Sequence, residues 1–296
     1  MHIYKSRFLV RGEVWFEHEP DSTPVDWIFY HQRSRPVPGA RWKYFYTIVL
    51  DLGLSPEVLR RGLNNSTAYH IRRARDRDRI VCERANPVSR EMLDAFEAAY
   101  HRFAGIKGLP PLDRQWLDQL ASDGFLELSL ARDPEGKPLA YHAYYIDSDR
   151  SCLLHTFSLH QELADSAARN AIGRANRYLF WCDILRHQEQ GLKRFDFGGW
   201  YPGKTDRELL DINRFKEGFG GQVVREYNCE QILSLKGRAV LAAAALLSWG
   251  KGLPAALRFG RKARGAETET AGADAQSPTA SPGAEAPALS APEMAR

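Results

Sequence analysis

The sequence is poor in cysteine and lacks paired cysteine motifs. Its 296 residues include four cysteines, Cys82, Cys152, Cys182 and Cys229, with no C-x-x-C pair. This spacing argues against a disulfide framework or a zinc site and is typical of a protein from a reducing compartment. The His-Glu-x-x-His and His-x-x-Glu-His patterns are absent too. We therefore predict that the protein binds no metal.

Long apolar segments are also missing. Residues 1–19 alternate charged and apolar groups and contain no continuous apolar stretch typical of a secretory signal. The longest apolar run, 239–249, is interrupted by Ser248 and is too short to span a bilayer. We predict a cytoplasmic protein, and we keep as a hypothesis that it associates peripherally with the inner face of the cell membrane.

The overall composition is ordinary, but the charges are unevenly distributed. Hydrophobic residues make up 44% and charged residues 26% of the chain, as in soluble globular proteins. Residues 60–84 hold eight Arg against three acids, and residues 231–264 hold seven Lys or Arg and no acid. Basic patches indicate anionic partners such as phosphates, nucleic acid or lipid head groups. A solvated helix surface is the alternative for each patch.

The C-terminal part divides into two segments of different composition. Residues 265–296 are mostly Ala, Pro, Ser, Thr, Gly and Glu, which cannot bury enough apolar surface to fold, so we predict a disordered tail. Residues 236–264 combine Leu and Trp with basic residues, which predicts an amphipathic helical segment. Such a segment either lies in a membrane interface or packs on the folded domain.

The remaining chain alternates between strand-like and helix-like patterns, which predicts an α+β fold with a mixed sheet flanked by helices. The predicted strands are 3–15, 26–32, 42–52, 79–83, 125–131, 139–146, 152–159, 194–197 and 222–227. The predicted helices are 55–74, the region from Met92 to Phe103, 113–121, 166–190 and 207–217. For the longest helix we expect Asp165 or Ser166 as N-cap and Gly191 as the stop.

One short strand ends in an unusual way. The segment Arg194-Phe-Asp-Phe-Gly-Gly-Trp200 places Asp196 in a strand type that normally excludes acids, and it ends in Gly198 and Gly199. As a catalytic residue, Asp196 could orient an amine or accept its proton. Alternatively, it caps the following loop or pairs with an arginine.

The start of the long helix is rich in positive charge. Between Asp165 and Asp183 there is no acid, whereas Arg169, Arg174 and Arg177 lie in the first turns. Positive side chains at this end oppose the helix dipole unless an anion docks there. We expect an anion such as a phosphate at this place, and simple surface arginines are the alternative. The candidate phosphate-binding residues are Arg169, Asn170, Arg174, Gly198 and Gly199.

A second glycine-rich segment, Phe215-Lys-Glu-Gly-Phe-Gly-Gly221, carries Lys216. The glycines could bring Lys216 beside the strand exit, where we assign it a catalytic or phosphate-binding role, whereas an exposed helix lysine is the alternative. Nucleophile elbows and Cys–His signatures are absent, which favours direct transfer between bound substrates. Further candidates for the acceptor site or cleft are His142, His155, Trp200, Lys204, Phe215 and Phe219.

Three motifs together resemble a known family. They are Gly173-Arg-Ala-Asn-Arg-Tyr-Leu-Phe-Trp-Cys-Asp-Ile184, the Phe195-Asp-Phe-Gly-Gly segment and Phe215-Lys-Glu-Gly-Phe-Gly-Gly. They resemble FemAB-type aminoacyltransferases and related members of the GNAT acyltransferase superfamily, over about residues 42–227. The resemblance implies a splayed mixed sheet with an acyl donor between strands 152–159 and 194–197. It also implies an amine acceptor, which we expect on a cell-envelope precursor such as a lipid-linked sugar or peptide.

The sequence departs from that family in one informative way. Residues 161–174 lack the Arg/Gln-x-x-Gly-x-Gly/Ala loop that many GNAT enzymes carry, so both acyl-CoA and aminoacyl-tRNA stay open as donors. The length predicts a reduced, strand-rich first half at 1–52 and one complete transferase unit at 53–235. Two other functions stay open. One is a non-catalytic RNA-binding or membrane-surface adaptor on a degenerate GNAT fold, and the other is an N-acetyltransferase of a soluble small amine.

Overall fold

The computed structural model describes residues 1–6, 8–158 and 165–250, with side chains described up to residue 243. Within these residues the chain forms one ten-stranded sheet flanked by seven helices. The strands are β1 (His2–Ser6), β2 (Leu9–Trp15), β3 (Trp27–Arg33), β4 (Arg41–Asp51), β5 (Val81–Ala85), β6 (Leu126–Arg132), β7 (Pro138–Ile146), β8 (Arg150–Ser158), β9 (Arg194–Gly199) and β10 (Gln222–Ile232). The helices are α1 (Pro56–Gly62), α2 (Asn65–Asp76), α3 (Arg90–Lys107), α4 (Arg114–Ser122), α5 (Ser166–Glu189), α6 (Arg207–Glu217) and α7 (Leu235–Gly250).

The strand order is β1-β2-β3-β10-β4-β9-β8-β7-β6-β5. Among the described strands, β2–β3 and β8–β9 pair in parallel and the other neighbours are antiparallel. The last strand, β10, therefore lies between β3 and β4. The α+β class and the mixed sheet that the sequence predicted are confirmed, whereas the insertion of β10 was not foreseen.

The sheet has a hydrophobic core on each face. On one face α3 and α4 pack through Phe96, Trp116 and neighbouring residues against β6, β7 and β8. On the other face α2 and α5 pack against the central strands, through residues such as Ile71 and Phe180. Helix α5 begins as expected, because the carboxylate of Asp165 accepts hydrogen bonds from the backbone N–H groups of Ala167 and Ala168.

The N-terminal strands are joined to the rest by side chains as well as by the sheet. The Trp15 ring is stacked between His31, at 4.0 Å, and Tyr145 of β7, at 4.2 Å. The indole N–H of Trp116 in α4 donates to the carboxylate of Glu13. The division at residues 52 and 53 into a reduced half and a transferase unit stays a prediction.

Three elements differ most from the sequence prediction. The predicted helix 55–74 is wrong as a single element: Leu63 is extended, and Asn64 starts α2 by accepting a hydrogen bond from Thr67 N–H. The region 3–15 forms the hairpin of β1 and β2, not one strand. The strand predicted at 222–227 continues to Ile232, because it pairs on both sides.

The predicted C-terminal segments are only partly covered. Helix α7 occupies the first part of the basic segment 236–264, and residues 251–264 lie outside the described residues. The predicted disordered tail, 265–296, also lies outside them. Among the described helices, none combines the length and hydropathy needed to cross a membrane.

Candidate functional site

The strands β8 and β9 separate soon after they pair. Their parallel ladder joins Arg150 with Arg194, Ser151 with Phe195 and Cys152 with Asp196, and ends there. On its other side, β8 shifts register against β7 around Leu154. A bulge of this kind leaves a residue out of the ladder and bends the strand. The sheet is therefore splayed between β8 and β9, as the family resemblance implied.

Gly198 lies where the two strands part. Its φ is +68°, a left-handed conformation that favours glycine, and a Cβ at this position would lie 2.7 Å from the carbonyl oxygen of Leu153. A side chain would therefore push the strands apart. The glycine requirement at the strand exit has a steric cause, namely the close approach of the β9 backbone to β8.

Beside Gly198, Asp196 is fully buried and has several hydrogen-bond donors. Its carboxylate accepts bonds from Arg150 at 2.5 Å, from Gln32 at 2.6 Å, from the Thr47 hydroxyl and from the Gly198 N–H at 2.8 Å. Burial on its own would raise the pKa of Asp196, but the Arg150 charge and these hydrogen bonds outweigh it and lower the pKa. Asp196 is thus an ionised, fully bonded group that holds the Gly198 peptide in place. These contacts favour the arginine-pairing alternative over proton acceptance.

The partner of Asp196 had no clear signal in the sequence. Arg150 follows a turn, where an arginine is commonplace, yet only 2% of its surface is exposed. It also binds Glu226 of β10 at 2.7 Å and lies over the Phe16 ring at 4.5 Å. The pairing of β9 with β4, and of β10 between β3 and β4, is what collects these groups. A pattern read along the chain does not contain that information.

Lys216 reaches the strand exit from α6, as predicted. Its ammonium donates to the carbonyl oxygens of Gly198, at 3.0 Å, and Gly199, at 2.5 Å, and only 7% of the residue is exposed. Burial lowers the pKa of Lys216 to about 8, although the negative charge of Asp196 counteracts the shift. The amine therefore titrates close to neutral pH, which is unusual for a lysine.

The arginines of α5 have varied environments, and only Arg169 lies in the first turn: Arg174 and Arg177 lie further along the helix than the sequence analysis expected. Arg174 is 9% exposed and donates to Asp78 at 2.6 Å, whereas Arg169 and Asn170 are exposed. Because Asp165 occupies the N–H groups of the first turn, an anion at this end would depend on side chains. The expected anion site stays a prediction here.

Side chains of α2 and α6 lie beside the arginines of α5. The guanidinium of Arg177 lies 4.7 Å from the centre of the Phe215 ring, next to Lys216. Burial lowers the pKa of His70 in α2, and the charges of Arg177, Arg174 and Arg73 add to the effect. The middle of α5, at Arg177, therefore lies beside Phe215 of α6.

The two predicted histidines lie on opposite faces of the sheet. His142 is fully buried beneath α5 and hydrogen-bonds Asp183 at 2.8 Å and Asn176 at 2.9 Å, which favours a structural role. His155 packs against Phe96 and Tyr100 of α3. The structure does not bring them together.

The other predicted cleft residues are close to the strand exit but differ in exposure. The Trp200 indole donates to Glu217 at 3.3 Å, and Lys204 is exposed in the loop before α6. Phe219 is fully buried in the core. Among the described residues, no group of three or more His, Cys, Asp or Glu side chains could hold a metal.

No known family profile and no curated protein matches the chain. Solved structures do match. FemX superposes with a TM-score of 0.52 at 15% identity, over 67% of this chain and 63% of FemX. The chain has a FemX-like fold. This confirms the FemAB-type, GNAT-like fold that the motifs predicted, and the chain spans less than two thirds of FemX.

Two other structures are similar at lower scores. The C-terminal domain of a putative lysylphosphatidylglycerol synthetase from Agrobacterium fabrum has a TM-score of 0.47 at 15% identity, covering 74% of this chain and 72% of that one. L-PGS from Bacillus licheniformis has a TM-score of 0.44 at 15% identity, covering 76% and 73%. At such low identity, the FemX-like fold is what the comparisons establish.

Proposed function

We propose that this protein is an N-acyl or aminoacyl transferase that joins an amine to an activated acyl donor held between β8 and β9. The observation that carries the proposal is the end of the β8–β9 ladder after Cys152 and Asp196, beside the buried ammonium of Lys216. The FemX-like fold agrees with it.

The reaction needs no covalent intermediate on the protein. The amine nitrogen attacks the carbonyl carbon of a thioester or ester, and the thiolate or alkoxide leaves once the tetrahedral intermediate collapses. Positioning of the two substrates supplies much of the acceleration. Backbone N–H groups at the β8 bulge are candidates for binding the oxyanion. Since the Asp196 carboxylate is fully bonded, we assign the proton of the amine to water and give Asp196 a positioning role.

We assign Lys216 to the donor. An ammonium has three N–H groups, and the carbonyls of Gly198 and Gly199 take two of them. The remaining N–H is available for a donor phosphate or for the negative charge that develops on the carbonyl oxygen. The charge would act strongly because the site is buried.

For the donor, both acyl-CoA and aminoacyl-tRNA fit an arginine-rich helix start. Arg177 lies over the Phe215 ring, next to Lys216 in the sequence, and Arg174 lies one turn earlier in α5; both donors carry phosphates that arginine binds well. Residues 159–164, which lead into α5, lie outside the described residues. The donor class therefore has to be decided by experiment.

For the acceptor, we propose an amine of a cell-envelope precursor, such as a lipid-linked sugar or peptide. Support comes from α7, which follows β10 directly and exposes Lys236 and Arg238. Basic residues on an exposed helix favour an anionic membrane surface. Flotation with anionic liposomes, using the full chain and a chain ending at residue 235, tests this part. Equal flotation of both would favour a soluble amine acceptor.

A donor screen tests the transferase proposal. The purified chain is heated with acyl-CoAs, with aminoacyl-tRNA and with uncharged tRNA, and co-purifying ligands are identified by mass spectrometry. We expect one activated donor to raise the unfolding temperature and to transfer its acyl group to an amine. The same donor should have a weaker effect on Lys216→Met than on Lys193→Met, which changes an exposed lysine before β9. Donor effects that are equal in both variants would contradict our assignment of Lys216.

A non-catalytic RNA-binding adaptor is the second candidate, because α2 exposes several arginines, including Arg72 and Arg75. Contacts of this kind bind phosphates without sequence preference. RNA binding that weakens steeply with salt, without any effect of an activated donor, would favour the adaptor over the enzyme.

A further inference from the structure

Five aromatic side chains form a row on one face of the sheet. They are Trp42, Tyr44 and Tyr46 on β4, Tyr227 on β10 and Trp200 just after β9. Neighbouring rings lie 5.3 to 6.5 Å apart between their centres. The β4 rings share one face because alternate residues of a strand point the same way, and Tyr227 joins them because it lies directly opposite Tyr44. The row therefore crosses from β10 over β4 to the segment that leaves β9.

The rings of this row are accessible, unlike the aromatic residues of the core. Trp42 is 43% exposed, and the other four rings are half-buried. Phe180 and Phe197, by contrast, are fully buried. Single exposed aromatic residues are common on protein surfaces, whereas a contiguous exposed patch marks a binding site.

A positive charge lies on the same face. Arg225 of β10 is exposed and lies opposite Tyr46 in the ladder, and its guanidinium is 4.8 Å from the centre of the Tyr44 ring. Arg41 pairs with Glu230 at 3.2 Å, but no described acid pairs with Arg225. The charge of Arg225 is therefore available to an anionic ligand that lies along the rings.

This combination matches the chemistry of unpaired nucleotides. Each base presents a flat ring that stacks on Trp or Tyr, and each phosphate presents a negative charge to arginine. The tyrosine hydroxyls of the row can donate and accept hydrogen bonds, which suits the 2′-hydroxyl that distinguishes RNA from DNA. A neutral sugar chain can also stack on such rings, but it has no charge for Arg225. The bases of a double helix are already stacked on one another and fit this face poorly.

We propose that the face formed by the aromatic row and Arg225 binds single-stranded RNA through about two or three unpaired nucleotides. Bases stack on Trp42 and Tyr44, and Arg225 binds a phosphate of the same segment. The exposed arginines of α2 would contact phosphates only, whereas this face also stacks bases. RNA binding needs no acyl transfer, so the inference does not rest on the proposed transferase activity.

The row leads towards the candidate site. The backbone N–H of Trp200 donates to the carbonyl oxygen of Tyr46 at 2.7 Å, and its indole donates to Glu217 at 3.3 Å. Glu217 follows Lys216 at the end of α6. RNA that is bound along the row would therefore end beside the strand exit.

The test of stacking uses the full-length chain and a fluorescein-labelled oligouridylate of about six nucleotides, with fluorescence anisotropy as the measurement. Trp42→Ala and Tyr44→Ala should each weaken binding about 5–100-fold, because each removes the partner of one stacked base. Phe8→Ala is the matched control. It removes a 71% exposed ring between β1 and β2 and should bind the RNA as wild type does.

The role of Arg225 is tested by salt dependence. Arg225→Gln should lower the slope of log K against log salt concentration by about 0.7, the share of one phosphate on a single strand. Arg90→Gln changes an exposed arginine at the start of α3 and should leave the slope as in wild type. Equal slopes in the two variants would contradict the assignment of Arg225.

A further measurement needs no variant. Ultraviolet crosslinking of the wild-type chain to a 5-iodouridine RNA of the same length should label the peptides that carry Trp42 or Tyr227. Crosslinks confined to α2 would overturn the proposal. So would an equal affinity for double-stranded RNA, or RNA binding that is the same in Trp42→Ala, Tyr44→Ala and Phe8→Ala. A neutral hexasaccharide that binds wild type but not Trp42→Ala, without any RNA binding, would assign the face to a sugar chain. Single-stranded DNA that binds more tightly than RNA would overturn the assignment to RNA.

Discussion

The two ends of the candidate cleft are built on different principles. We call the surroundings of Asp196, Gly198 and Lys216 the strand-exit end, and those of Arg174 and Arg177 the helix-start end. At the strand-exit end, each charged group is buried and has named partners at hydrogen-bond distance. At the helix-start end, positive charges outnumber acids, and Arg174 is 9% exposed whereas Arg169 belongs to the exposed residues.

The difference indicates that the two ends have different roles. Buried, fully bonded groups hold a backbone in one geometry, which reaction chemistry requires. Charges at a more open surface bind anions with less geometric demand and depend on salt. We therefore expect changes at the strand-exit end to affect folding and turnover, and changes at the helix-start end to affect donor affinity.

The largest effect is expected for Asp196→Ala. Without this carboxylate, the buried Arg150 keeps Glu226 as its one acidic partner, and the Gly198 N–H loses its acceptor. We therefore expect the free energy of unfolding to fall by about 3–5 kcal/mol. Asp149→Ala is the matched control: its ion pair with Arg194 is exposed, and its loss should cost under about 1 kcal/mol. Urea denaturation measures both. Similar losses in the two variants would mean that the strand-exit end is not the rigid part.

Acid should weaken the same end. The pKa of Asp196 is lower in the folded than in the unfolded state, so its contribution is present above the ordinary value of 3.8 and is lost as the pH falls below it. Asp196→Asn should show a smaller loss of stability in this range than wild type.

Lys216→Met comes next, with an expected fall in kcat of about 10²–10³-fold, whereas Lys193→Met should keep wild-type turnover. The pH dependence of kcat/KM is a more specific test of Lys216. If the ammonium is required, kcat/KM falls as the pH rises through about 8, the pKa of Lys216. Lys216→Arg stays charged, so whatever activity it keeps should not show this fall.

Stability should move in the opposite direction to activity over that range. The folded-state pKa of Lys216 lies below its ordinary value of 10.5, so the folded protein gains stability as the pH rises from about 8 towards 10.5. A fall in activity that coincided with a loss of stability would point to unfolding and not to the titration of Lys216.

A smaller effect is expected for Gly198→Ala. The new Cβ would meet the Leu153 carbonyl at 2.7 Å and would occupy a left-handed conformation, which we expect to cost about 2–3 kcal/mol. Gly191→Ala shares the positive φ, +85°, but its Cβ has nothing within 4 Å, so about 1 kcal/mol is expected. Equal costs would show that β8 and β9 do not touch at Gly198.

Arg174→Ala should have the smallest effect. We expect donor binding to weaken about 5–10-fold, more so at low salt. Arg75→Ala is the control, because this arginine is exposed on α2 and paired with Asp76. Titration of the donor by fluorescence or calorimetry measures both. If Arg174→Ala lowered kcat and left affinity unchanged, the two ends would not differ as we infer.

The parts of the site that lie close together in the sequence could be predicted from it. The Asp165 cap, the glycine exit at Gly198 and the approach of Lys216 follow from local spacing and turn chemistry, and the structure agrees with each. The helix break at Asn64 was also readable, since Asn is a common cap, but the flanking helical pattern outweighed it.

The parts that depend on strand pairing could not be predicted. Arg150 and Gln32 lie in segments without special signals, and they reach Asp196 because β3, β10, β4, β9 and β8 are neighbours. Side-chain periodicity tells which face a residue occupies but not which strand lies next to it.

The place of β10 has a consequence for synthesis. The groups around Asp196 come from β3, β4, β8, β9 and β10, and β10 is the strand that links β3 to β4. During translation, β1 to β3 therefore have no lateral partner in the central sheet until residue 232 has left the ribosome. Pairing across such sequence distances is slow and exposes strand edges to aggregation in the meantime. A nascent chain stalled before β10 should thus be a client for chaperones, with the candidate site around Asp196 still unassembled.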